Sequence, residues 1–307
     1  MGTVAEVTVH GSDPAVARRQ VEAVFTEIAR LEAQLSRWRP ESALSRLNAA
    51  AGRGPQPVPA DLARVLREAV HGRALSRGAF DVTVGPVVAL WVEAARSDRI
   101  PREADIAAAL RSVGAQRIRV DGEGRVELPD PRTSVDLGGI AKGYALDRAA
   151  ERLRAEGVEA ALLQIGQSST WALGAPPGEA GWRLGLRGAS GQVESTVRLR
   201  DRAFSVSSSL GQWSVIGGRR FGHVVDPRTG WALERAAQAA VVSGDATTAE
   251  ILSTALVVLD PQDGMAVVES LGGVEARWLD DAGHRMESSG WAAVTAEEPF
   301  LPGPGRP

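Results

Sequence analysis

The chain has 307 residues, 44% hydrophobic and 24% charged, which is the composition of a folded globular protein with length for one large domain or two ordinary ones. Its formal net charge of −3 leaves no basic excess for gripping a nucleic-acid backbone, so no nucleic-acid partner is expected. It contains no cysteine, which excludes disulfides, thiolate metal sites and thiol nucleophiles and leaves oxygen and imidazole as metal ligands.

Val4 to His10 alternates as a strand, and Ser12-Asp13-Pro14 reads as a capped helix start. The following helix carries Val21, Val24, Phe25, Ile28, Leu31 and Leu35 on one face, a core-facing stripe. Ser36 to Asn48 is a loop or broken helix holding one exposed aromatic, Trp38. After a Gly/Pro-rich connection from Ala51 to Pro59, a second helix runs from Asp61 to Ser76. Gly78 to Trp91 mixes turn glycines with β-branched residues and ends in an apolar run. A shorter helix is expected over Glu103 to Val113, with short strands at Arg117 to Val120 and Arg125 to Leu128. Thr133 to Asp136 reads as a strand end, then glycines, then a helix from Tyr144 to Ala155 closed by Gly157.

Ala160 to Ile165 is a buried strand, and strands and turns dominate from Thr170 to Leu233. Thr247 to Val258 forms an apolar-sided helix capped by Asp245. Val274 to Leu279 and Trp291 to Thr295 read as closing strands, and residues 297–307 as a disordered tail. Helices and strands interleave without a regular strand-helix-strand rhythm, so a mixed α+β fold is expected, as a single domain over residues 1–296. The start lacks the basic and apolar pattern of a signal peptide, and no run reaches the roughly 18 apolar residues of a membrane span. As numbered, the chain is therefore expected to be cytoplasmic and not inserted in a membrane, unless a signal was removed.

Four segments carry chemistry. Asp136-Leu-Gly-Gly-Ile-Ala-Lys-Gly joins two adjacent glycines to a helix start and to Lys142, the only lysine among 35 basic residues. Bare backbone, free helix N–H groups and a mobile ammonium suit a phosphate, although the spacing is neither a Walker loop nor a dinucleotide fingerprint. A tight turn with a solvated lysine is the alternative; the rarity of lysine favours function. His223-Val-Val-Asp-Pro-Arg-Thr-Gly ends a strand in a histidine able to act as a general base near neutral pH, with Asp226 either orienting it or capping the turn. Glu250 and Thr254 are four apart and share a helix face, a carboxylate and hydroxyl suited to Mg2+. Taken alone, that pair reads more simply as an exposed glutamate beside a helix-facing threonine. Asp81, in Gly78-Ala-Phe-Asp, either accepts hydrogen bonds from a ligand or caps the next turn, and Trp38 offers a flat face for stacking.

Taken in order, LSRWRPESALSRLN, GAFDVTVGP, DLGGIAKGYALD, HVVDPRTG and the helix after Asp245 resemble the FAD:protein FMN transferase family, often called ApbE. The resemblance implies largely antiparallel sheets flanked by helices in a T-fold-related architecture. It also implies Mg2+-dependent transfer of FMN from FAD to a threonine of an acceptor protein, with release of AMP. By motif it places Trp38 against the isoalloxazine; Met1, Ala79, Phe80, Asp81 and Val224 along the flavin site; and Asp136 and Lys142 on FAD. The Gly139 carbonyl, Glu250 and Thr254 would hold the metal, and His223 would be the base. The sequence departs from the family pattern at Gly166-Gln167-Ser168, where Gly-Gly-Asp is usual, and at Ser207-Ser208-Ser209, where Thr-Ser-Gly is usual. Glu250 stands in place of an aspartate. These departures leave two other readings open, a flavin carrier that has lost transfer and an FAD diphosphatase.

Overall fold

The computed structural model describes residues 3–11, 13–210 and 213–296. In chain order the first elements are β1 (Ala5–His10), α1 (Pro14–Leu35), α2 (Ala43–Ala49), α3 (Ala60–Leu75), α4 (Gly85–Ser97) and α5 (Glu103–Leu110). Next come β2 (Arg119–Val120), β3 (Val126–Glu127), α6 (Ala141–Ala155), β4 (Ala160–Ile165), β5 (Ser169–Leu173), β6 (Trp182–Arg187), β7 (Val193–Leu199) and β8 (Arg202–Ser208). The remainder is β9 (Trp213–Ile216), β10 (Arg219–Gly222), β11 (Ala237–Ser243), α7 (Ala246–Val258), α8 (Pro261–Glu269), β12 (Glu275–Asp280), β13 (Arg285–Glu287), α9 (Trp291–Val294) and β14 (Thr295–Ala296). No helix among these residues is long and apolar enough to cross a membrane.

Seven strands form one antiparallel sheet in the order β1-β4-β5-β8-β11-β12-β13, in agreement with the expected mixed, antiparallel class. Helices α1, α6, α7 and α8 cover one face, where Leu31, Leu146, Leu153, Leu163, Val241, Leu252 and Val268 share a core. The other face is covered by the small sheet β14-β7-β6, with Trp182, Val197, Phe204, Val242 and Trp291 packed between. Strand β11 is therefore buried at every position, Ala239 and Val241 facing one core and Ala240 and Val242 the other. A third cluster joins α4 and α5 to the β9–β10 hairpin through Val87, Trp91, Ile106, Ile216 and Phe221. The Trp91 indole N–H also donates to the Gly230 carbonyl at 2.8 Å.

Several elements differ from the sequence reading. The apolar part of Gly78–Trp91 continues into α4, started by Gly85-Pro86, because Val87 and Val88 pack into the third cluster. Thr133–Asp136 forms no ladder strand; Ser134 makes a single parallel bridge to Val84 and the Asp136 N–H donates to Val82. Helix α6 starts at Ala141, three residues earlier than expected, which puts Lys142 in its first turn. Strand β11 and helix α8 lie outside the expected elements, and Trp291–Val294 is a helical turn leading into the two-residue β14. The Asp13 cap, the Asp245 cap and the exposed Trp38 are as expected, Trp38 being 78% exposed. Ser12, Met1 and the tail at residues 297–307 lie outside the described residues.

Helix α6 meets the start of α7 backbone to backbone. At Gly143 a side-chain carbon would stand 2.2 Å from the Ala246 carbonyl oxygen, so only glycine lets the two backbones meet. Replacing an unconstrained helical glycine by alanine gains about 1 kcal/mol. Gly143→Ala should instead lower stability by roughly 1–3 kcal/mol, since forced separation of packed helices outweighs propensity. Urea unfolding checks this; an unchanged or higher midpoint would show that the contact is not tight.

Candidate active site

The α6–α7 contact is reinforced by a buried carboxylate. Asp147 of α6 accepts hydrogen bonds from the Ala246 and Thr247 N–H groups at 2.7 and 2.9 Å, from the Thr247 hydroxyl at 2.6 Å and from the Trp171 indole at 2.8 Å. Two of these donors are first-turn amides of α7, where a negative charge also meets the helix dipole. Burial pushes the Asp147 carboxyl above the usual carboxylate range, against the hydrogen bonds that favour its charged form. Asp245 caps the same helix end through the Thr248 N–H at 2.7 Å. At the other end, Arg235 donates to the Val257, Val258 and Leu259 carbonyls. Both termini of α7 are therefore held, and the helix presents Glu250 and Thr254 at a fixed place.

Those two side chains line a cavity of about 600 Å³ between α6, α7, β8 and the loop after β10. The cavity gathers Ala79, Phe80, Asp81, Asp136, Gly139, Lys142, His223, Val224, Glu250 and Thr254, which is every site residue the resemblance assigns except Trp38 and Met1. A second lobe of about 370 Å³ adjoins it, walled by Thr3, Leu35, Arg37 and Trp38. Asp136, Gly138, Lys142, Gln167 and Ser168 line both, so the lobes meet at the N-terminus of α6. Ala79–Asp81 thus line the larger lobe and Trp38 the smaller one. Met1 lies outside the described residues.

Glu250 is 2% exposed, contrary to the simpler reading of an exposed glutamate. One of its oxygens accepts from the Lys142 ammonium and the other from the Gly143 N–H. Thr254 hydrogen-bonds Ser207 at 3.3 Å, and Ser207 in turn meets Ser253 at 2.9 Å, so this part of the cavity wall is a run of hydroxyls. Gly139 backs onto the same place: a side-chain carbon there would be 3.2 Å from the Thr254 hydroxyl oxygen and 3.1 Å from the Phe80 ring. Carboxylate, hydroxyl and backbone carbonyl are hard oxygen donors, the set that suits Mg2+ shared with a phosphate ligand. No group of three or more His, Asp or Glu side chains that could hold a metal occurs among the described residues.

The other two carboxylates are structurally engaged. Asp81 accepts from the Thr83 N–H and hydroxyl, the Ala115 N–H and Arg73, which makes it a cap for the loop rather than an open ligand acceptor. Asp136 binds Arg37 at 2.6 Å and the Gly138 N–H at 2.9 Å, and the Arg37 guanidinium lies 4.3 Å from the Trp38 ring centre. His223 is exposed on the rim of the large lobe, directly after β10. Its loop is fixed behind it by the Val225–Ala232 bridge and by Asp226, which caps the turn through the Arg228 N–H at 2.8 Å and binds the Arg228 side chain. Sequence reading missed Arg37 and took Gln167 and Ser207 only as departures from a pattern; nothing in their spacing marks them as cavity walls.

The ApbE family profile matches residues 1–278. The chain belongs to the ApbE family. A Vibrio cholerae relative, FAD:protein FMN transferase, is 31% identical over 255 residues, covering 80% of this chain and 76% of the relative. A Klebsiella pneumoniae FAD:protein FMN transferase is 30% identical over 281 residues, covering 89% and 80%. Among solved structures, the flavin transferase ApbE of Vibrio cholerae superposes with a TM-score of 0.82 at 26% identity, covering 96% of both chains. The Pseudomonas stutzeri flavinyl transferase ApbE gives 0.83 at 28% identity, covering 96% of this chain and 94% of that one. The ApbE-family cavity described above is positioned by Asp147, so Asp147→Asn should cost about 1–3 kcal/mol by turning an amide NH2 toward buried donors. Wild-type stability for this variant in urea unfolding would mean that α7 is held by other contacts.

Proposed function

We propose that this protein transfers FMN from FAD to a hydroxyl, that of a threonine, on a separate acceptor protein and releases AMP. One observation carries the reading. The only lysine of the chain, the Glu250/Thr254 pair and His223 line a single cavity that continues past Asp136 into a lobe walled by an exposed tryptophan. The relatives are FAD:protein FMN transferases and the structural neighbours flavin transferases, which supports transfer of FMN from FAD to a protein.

An elongated two-lobed site suits an elongated dinucleotide. Trp38 would stack on the isoalloxazine in the smaller lobe. Lys142, at the junction, would meet the diphosphate as a mobile point charge, the Ala141 and Gly143 N–H groups beside it being taken by Leu137 and Glu250. Phe80, Ala79 and Val224 would receive the adenosine end in the larger lobe, with Asp81 keeping their loop in shape. Asp136 would hold Arg37 where the two lobes meet. A Mg2+ ion held by Glu250, Thr254 and the Gly139 carbonyl would supply charge neutralisation on the diphosphate.

The acceptor oxygen forms a bond to the FMN phosphorus while the bond from that phosphorus to the bridging oxygen breaks. AMP leaves with the bridging oxygen, and His223 takes the proton of the acceptor hydroxyl. The exposure of His223 on the cavity rim fits a substrate as large as a protein. Displacement at a pyrophosphate depends on positioning and neutralisation more than on a protein nucleophile, which fits a chain without cysteine.

The test is incubation with FAD, Mg2+ and an acceptor protein of a characterised family member, followed by intact-mass analysis and AMP quantification. The acceptor should gain the mass of one FMN group, with AMP formed one for one. His223→Ala should slow transfer by about 10²–10⁴-fold. AMP release without a labelled acceptor would make the protein an FAD diphosphatase, and bound FAD with no AMP would make it a flavin carrier.

A further inference from the structure

Three carboxylates face the large lobe, Asp81, Asp136 and Glu250, and each already holds a cation. Asp81 is paired with Arg73 and Asp136 with Arg37. Both partners are arginines, whose planar guanidinium is suited to a fixed hydrogen-bonding geometry. Glu250 alone is paired with lysine, a compact ammonium on a flexible stem. Its second oxygen is pinned by the Gly143 N–H, so the carboxylate can keep its place when the ammonium moves away. The Lys142 side chain is 22% exposed and reaches both lobes, whereas the Glu250 side chain is 2% exposed.

We propose that Lys142 is a resident counter-ion: in the ligand-free protein it neutralises Glu250 in the position a divalent cation would take, and it is passed to the substrate diphosphate on binding. A carboxylate this deeply buried is costly without a partner, so the lysine stabilises the fold around Glu250. While the pair is closed, the donor set around Thr254 and Gly139 offers a cation no net negative charge. Cation alone should bind weakly. The diphosphate, by drawing Lys142 away and adding its own oxygens, should make cation and dinucleotide bind cooperatively.

The inference rests on the reading that a divalent cation serves this site. Its test contains neither FAD nor acceptor, so its failure would leave the transfer reading standing. Mn2+ is titrated alone into the wild type, Lys142→Met and Lys142→Ala, with bound metal read by electron paramagnetic resonance and thermal melting followed with and without Mn2+. Both variants should melt lower than wild type without metal, and Mn2+ should restore them. Each should bind Mn2+ more tightly than wild type by about tenfold or more, since a buried like charge has been removed. Adding Glu250→Gln to Lys142→Met should abolish the gain. Two variants of different bulk separate the loss of charge from a packing defect of either one. Unchanged Mn2+ affinity in both lysine variants would overturn the proposal, as would a gain that survives Glu250→Gln.

Discussion

The site depends on the clasp between α6 and α7. Gly143 lets the helix backbones meet at Ala246, Asp147 reaches forward to the first amides of α7, and Glu250 reaches back to Gly143 and Lys142. Without the first contact the second could not form, because Asp147 lies one helical turn beyond Gly143 on the same face. The same clasp places an ammonium, a buried carboxylate and a hydroxyl along one cavity wall. Stability and chemistry are thus linked through one helix pair packed on the central sheet.

Much of this was legible from the residues. The single lysine beside paired glycines and the histidine ahead of an Asp-Pro turn point to chemistry, the Glu250/Thr254 pair does so only in their company, and the structure brings all of them around one cavity. What could not be read is their mutual wiring. Lys142 and Glu250 are 108 residues apart, and no periodicity signals that they pair. Nor does spacing show that Asp81 is saturated by Arg73 and Ala115 while Asp136 is held by Arg37. In the fold, β11 was missed because burial on both faces erases the alternation that marks a strand. Helix α4 was blurred by its valines, which are strand formers by propensity, although Val87 and Val88 here pack into the third cluster. The start of α8 carried its own signal, Asp260 followed by Pro261, and Asp260 does cap it through the Gln262 N–H at 3.0 Å.

The departures from the family pattern have definite places. Gln167 and Ser168 line the junction of the two lobes together with Lys142. Ser207 belongs to the hydroxyl run that meets Thr254. Glu250, longer than aspartate by one methylene, spans from α7 to both Lys142 and the Gly143 N–H. These changes lie in the walls of the cavity and at the charge partner of Lys142.

The most direct measurement is a crystal structure of the protein with FAD and a divalent cation. The account predicts the isoalloxazine against Trp38, the diphosphate at Lys142 between the two lobes and the adenosine beside Phe80. FAD bound outside this cavity, or bound with its diphosphate away from Lys142, would contradict it.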